Sequence, residues 1–285
     1  MAVQSAWRIP LQVSIPLSIL MIIFATFSFT GFYSPFRKDG QALLFTTSRT
    51  PTDEHFLNRR KASAPWVYHA LHAVPAIIWS IAMPLQHVDS VRKRWPVVHR
   101  VAGYTILSLS MVLSTTGYWF FLSNNAYTHR NVFHMHSFKG LGSVSWPTFE
   151  FTLWIIGPFY WLTIYKAAVT ARAKDFARHR KWAVLHTICA SYISLERVAY
   201  VTLLGIGFAL SFLPRDMVHE FFGVGYSVEE MAEAELSVFA LMNVLAHAMM
   251  LSWLAFEFTR AGYFGDVKGY LSSRTEKKKE LNKVE

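Results

Sequence analysis

The run Leu11 to Gly31 carries no charge and is long enough to cross a bilayer. A core helix of a water-soluble domain seldom goes this far without a polar face. Five further apolar runs follow, and several have a histidine set among Leu, Ile, Trp and Phe. These runs predict six spans, at 11–31, 65–88, 98–122, 146–171, 181–213 and 235–259. Only 16% of the 285 residues are charged and 53% are hydrophobic, against about 25% charged in soluble chains. The fold expected is an all-α polytopic membrane bundle in four parts: 1–64, a first span with its outer loop; 65–213, a histidine-bearing four-helix core; 214–260, an acidic loop and the last span; 261–285, a polar tail.

Charge sets the orientation. The net charge of +10 is concentrated in short connections between apolar runs, as expected beside anionic lipid rather than nucleic acid. Arg92, Lys93, Arg94 and Arg100 follow the second run. Arg172, Lys174, Arg178, Arg180 and Lys181 follow the fourth, and the tail is basic. The connection between the fifth and sixth runs is instead acidic: Asp216, Glu220, Glu229, Glu230 and Glu233. The positive-inside rule puts both termini in the cytosol. The 32–64 loop, placed outside, runs against this pattern with Arg37, Lys38, Arg49, Arg59, Arg60 and Lys61. The lone Cys189 excludes an intramolecular disulfide and a cysteine-rich metal site.

The polar residues fall in stripes at helical spacing. His72, Trp79 and Gln86 share one face of the second run. His99, Gly103, Ser110 and Gly117 share one face of the third. His179, His186 and Arg197 share one face of the fifth, and Asn243 and His247 stack in the sixth. Such stripes normally look into the bundle. The third and fifth runs each open with His-Arg after a basic turn, His99-Arg100 and His179-Arg180, a faint repeat that predicts two similar hairpins. Prolines 75, 84 and 158 predict kinks whose freed carbonyls are met by neighbours.

Paired imidazoles on facing helices suit a b-type haem. The candidate cofactor residues are His72, His99, His179 and His186, with Arg197 as charge partner and His99 and His179 as iron ligands. A second expectation is a proton-coupled carrier lined by His72, His186, Glu196, Arg197 and His247. A third is a membrane scaffold with structural histidines. Glu196 and Arg197 are the sharpest anomaly, since each charge in mid-span costs about 2.5–3.5 kcal/mol on insertion scales. His134-x-His136 has the look of a metal clip without a carboxylate, and His55, His69, His87 and His219 read as structural. No phosphate loop, nucleophile elbow or HExxH motif is present.

Pro84-Leu85-Gln86, His99-Arg100-Val101-Ala102-Gly103-Tyr104, His179-Arg180-Lys181-Trp182 and Arg197 together resemble an uncharacterised family of multi-pass membrane proteins, domain of unknown function 2306, over about residues 65–200. That family's pattern continues after the second His-Arg-x-Trp with Met and another Arg, where this chain has Ala183, Val184, Leu185 and His186. The resemblance implies a shared membrane core and no established activity.

Overall fold

A computed structural model describes residues 7–30, 65–123, 132–139 and 141–263. Four helices are long and apolar enough to cross a membrane: Trp66–Leu85, Pro96–Leu122, Phe176–Leu210 and Leu236–Arg260. Leu11–Phe27 is apolar but shorter. The fourth expected span also forms a helix, Phe149–Arg172, yet it is not among those four. Glu150, Lys166, Arg172, two tyrosines and three threonines dilute its apolar residues. The 32–64 loop, His55, His129 and residues 264–285 of the polar tail lie outside the described residues.

Helix α1 is Leu11–Thr30. The next helix is composite: α2 (Pro65–Tyr68), a π turn (His69–Ala73) and α3 (Val74–Leu85). Pro75 accounts for the π turn. It lacks an N–H and would press on the Leu71 carbonyl four residues back, and the wider turn absorbs the clash. The Thr116 hydroxyl of the neighbouring helix lies 3.4 Å from that carbonyl. Short α4 (Asp89–Arg94) leads into α5 (Pro96–Leu122), whose first position is a proline.

Strands β1 (Phe133–Phe138) and β2 (Gly142–Pro147) then form an antiparallel hairpin, which the sequence reading missed. Helix α6 (Phe149–Arg172) returns through the bundle. The Asp175 side chain caps α7 (Phe176–Ala190) by accepting from the Arg178 amide, and α8 (Tyr192–Leu210) continues beyond Ser191. Helix α9 (Arg215–Phe222) ends on Gly223 at φ 64°, where a Cβ would strike the Ser137 carbonyl. A Ser227–Glu230 capping box opens α10 (Val228–Arg260).

Helix α3 packs on α5 and α6 on α7, the two hairpins expected from the His-Arg repeat, and α5 joins them by packing on α6. Helix α10 lies against α8, and α1 lies across α3 and α8. Gly157 allows the α5–α6 approach, since the Tyr118 hydroxyl occupies the space a Cβ would need. That hydroxyl donates to Leu153 O at 2.5 Å, one residue from the carbonyl that Pro158 frees. Ahead of α1, Trp7 and Ile9 are buried in a cluster with Val184, Ile188, Leu195 and Met250. One end of the bundle carries the basic turns; the opposite end carries the β-hairpin.

Candidate functional site

The interior polar groups form four separate sets. At the centre, Trp79 Nε1 donates to Ser110 Oγ at 2.9 Å, and Ser110 Oγ lies 3.0 Å from His186 Nε2. Thr163 Oγ1 lies 3.1 Å from His186 Nδ1 and donates to Tyr160 O at 2.6 Å. Because Thr163 spends its proton on a carbonyl, its oxygen accepts from His186 Nδ1–H. His186 Nε2 then accepts the Ser110 proton. The chain Trp79 to Ser110 to His186 to Thr163 to Tyr160 O is fully satisfied and ties α3, α5, α6 and α7 together. His186 is 2% exposed, and both its nitrogens are engaged.

At the basic end three histidines approach one another. His179 Nδ1 donates to Ala167 O at 2.9 Å, which leaves Nε2 as a lone pair. His99 Nδ1 is buried with no partner. Gln86 Nε2 donates to His99 O at 2.9 Å, and the Gln86 amide lies over Gly103. Gln86 at the end of α3 thus braces the start of α5 at His99 and Gly103. His87, read from sequence as structural, joins them. The Thr187 hydroxyl donates to Ala183 O and accepts His87 Nε2–H at 3.1 Å. Burial, with the charge of His99 adding to it, holds the His87 imidazole down to about 4. His99 lies within electrostatic reach of His179 and Arg92.

Toward the hairpin end, His72 sits in the π turn with Nδ1 3.3 Å from Thr116 Oγ1. The Arg197 guanidinium lies within electrostatic reach of His72 and 5.6 Å from the centre of the Phe24 ring. It makes no ion pair with a described carboxylate. Eighteen residues at 1.5 Å rise separate Arg197 from His179 by roughly 27 Å, so Arg197 and the His99–His179 pair serve different places. Helices α7 and α8 run on through Ser191, whose amide donates to Thr187 O and whose carbonyl accepts from the Leu195 amide, both at 2.9 Å, and Arg197 lies beside Phe24 of α1.

The fourth set joins α6, α8 and α10. Tyr192 Oη lies 3.1 Å from Thr152 Oγ1, 3.2 Å from Asn243 Oδ1 and 3.0 Å from His247 Nδ1. His247 Nδ1 donates to Asn243 O at 2.7 Å, and its Nε2 faces Thr152 Oγ1 at 3.3 Å. One turn along α8, Glu196 is 2% exposed and its Oε1 has no partner.

Outside these sets, His134 Nε2 and His136 Nδ1 converge on Ser237 Oγ at 2.6 and 2.8 Å, while His136 Nε2 donates to Phe222 O at 2.8 Å. The two imidazoles fasten the hairpin to α9 and α10. Among the described residues, no three His, Cys, Asp or Glu side chains gather as a metal site. The described imidazoles are instead held mainly by hydroxyls and backbone carbonyls. No protein-family model, curated protein or solved structure matches this chain.

Proposed function

We propose that this is a six-span redox membrane protein, with both termini cytosolic, that holds a b-type haem between His99 of α5 and His179 of α7. One observation carries the reading. His179 fixes its ring through Nδ1–H on the Ala167 carbonyl and leaves Nε2 without a bond among the described residues, the posture of an iron-ligating imidazole, and His99 lies within its electrostatic reach. An axial pair needs two imidazoles on facing helices, not a three-residue cluster. When bound, haem supplies one-electron redox chemistry. The protein's own part is to orient His179 through Ala167, to brace the His99 backbone through Gln86, and to offer Arg92, close to His99, as the charge partner that Arg197 is too far away to be. The shared core of the resembling family would be this Gln86–His99–His179 end.

The test is a visible spectrum of protein purified from cells fed a haem precursor, before and after dithionite. A Soret band with sharp reduced α and β bands is expected. A featureless spectrum from folded, haem-supplied protein refutes the reading.

A further inference from the structure

We infer that Glu196 is a proton-exchanging carboxyl in the membrane interior, served by the Tyr192–Thr152–His247 hydroxyl and imidazole chain. Its place is independent of the His99–His179 site.

The inference rests on an imbalance. Two glutamates of the apolar helices are buried, Glu196 at 2% and Glu257 at 0% exposure, and each has an Oε1 without a partner. Their other surroundings differ. Glu257 Oε2 takes a 2.5 Å hydrogen bond from Arg260, which also donates to Arg8 O. Its charge is compensated, and it is a structural clasp for the N-terminal segment. Glu196 makes no ion pair and no hydrogen bond among the described residues. Arg197 is next to it in sequence, but adjacent residues diverge by about 100° on a helix, and its guanidinium lies over Phe24. A carboxylate held there as an anion would be stripped of water, and the Arg197 charge that reaches it offsets only part of that cost. The neutral acid bears no such cost, so the site favours a carboxyl that carries its proton and releases it only to a nearby acceptor.

The acceptor chain is on the same face. Tyr192 precedes Glu196 by one turn and feels its charge. From the Tyr192 hydroxyl the next oxygen is Thr152 Oγ1 at 3.1 Å, and from there His247 Nε2 at 3.3 Å. His247 Nδ1–H is committed to Asn243 O, which leaves Nε2 as the lone pair that accepts. The transfer balances. Once the Glu196 side chain swings to Tyr192 Oη it gives up its proton there, the phenol proton passes to Thr152 Oγ1, the threonine proton passes to His247 Nε2, and the products are a carboxylate and an imidazolium. The ionisable groups around Glu196 are few: Tyr192 and Arg197 on α8, and His247 on α10. Residues 11–30 of α1 contain none, and α6 contributes Thr152.

The test is dicyclohexylcarbodiimide, an apolar reagent that reacts with protonated carboxyls, applied to the full-length protein in liposomes and followed by peptide mass mapping. Expected is an adduct on Glu196 and none on ion-paired Glu257, with the Glu196 yield falling about tenfold per pH unit once the carboxyl ionises. His247→Gln, which removes the terminal acceptor, is expected to slow exchange and to leave labelling at low pH unchanged. Equal labelling of both glutamates, or Glu257 labelled and Glu196 not, overturns the proposal. So does a Glu196 yield that does not vary with pH.

Discussion

Replacing Ser110 with Ala removes one oxygen at the centre of the bundle that Trp79, His186 and the Tyr160 hydroxyl all meet. Trp79 Nε1–H and His186 Nε2 lose the partner they have there among the described residues, and are orphaned together. Ser110 is fully buried, so no solvent replaces the hydroxyl. An orphaned buried group costs about 1–3 kcal/mol in water-soluble proteins. Interhelical hydrogen bonds in membranes average only about 0.6 kcal/mol, because the unfolded chain in lipid also finds partners. Two groups orphaned together place the cost at about 1–4 kcal/mol. Unfolding in mixed micelles with increasing dodecyl sulfate measures it. Thr202→Ala is the control, since Thr202 is exposed and bonds only its own helix at Val198 O; it is expected to cost less than about 0.5 kcal/mol. Adding Trp79→Phe to Ser110→Ala removes one orphan and makes the double change cheaper than the sum of the singles. A Ser110→Ala cost no larger than that of Thr202→Ala, or strict additivity with Trp79→Phe, refutes the directed chain.

Three other outcomes follow from named contacts. His87 titrates near 4 in the fold and near 6.5 unfolded, so between those values the unfolded chain binds more protons and stability falls as pH drops. The loss reaches about 3 kcal/mol by pH 4, and His87→Gln flattens thermal-unfolding curves of haem-free protein between pH 7.5 and 5. Gly157→Ala drives a methyl into the Tyr118 hydroxyl and costs about 1–3 kcal/mol; Tyr118→Phe in the same chain recovers part of it in the same unfolding assay. Gln86→Ala frees the His99 carbonyl and weakens haemin affinity about tenfold or more, read by spectral titration.

Helical periodicity made much of this interior legible. His72, Trp79 and Gln86 were placed on one face of their run, and all three meet α5: Thr116, Ser110 and the His99 carbonyl. Asn243 and His247 were stacked one turn apart, and both meet Tyr192. A continuous helix keeps its phase, so spacing alone gives the face. Spacing gives the face but not the depth: Arg197 lies beside His72 and Phe24, roughly 27 Å along the helix from His179. Hydropathy found the apolar runs; at 146–171 the helix forms, but Glu150, Lys166 and its hydroxyl residues keep it below the apolarity of the four candidate spans. The β-hairpin was overlooked although Phe133-His134-Met135-His136 and Ser143-Val144-Ser145-Trp146 alternate apolar and polar residues; the strands are short, and Trp146-Pro147 reads as the start of a span. What pins the hairpin, His134 and His136 on Ser237, lies about a hundred residues away in the chain. His87 was set aside for its place near a loop; its partner Thr187 is likewise a hundred residues distant, and no local pattern announces such a pair.

The central claim is that His99 and His179, and not the other buried histidines, are the iron ligands. Haemin titrated into apo-protein in detergent, followed at the Soret band, tests it directly. One haemin per chain with a low-spin, bis-imidazole spectrum is expected for the parent and for His72→Ala. In His99→Ala and His179→Ala the low-spin spectrum should be lost. Low-spin binding that survives in the double variant His99→Ala/His179→Ala, or that disappears in His72→Ala while both of these histidines remain, contradicts the account.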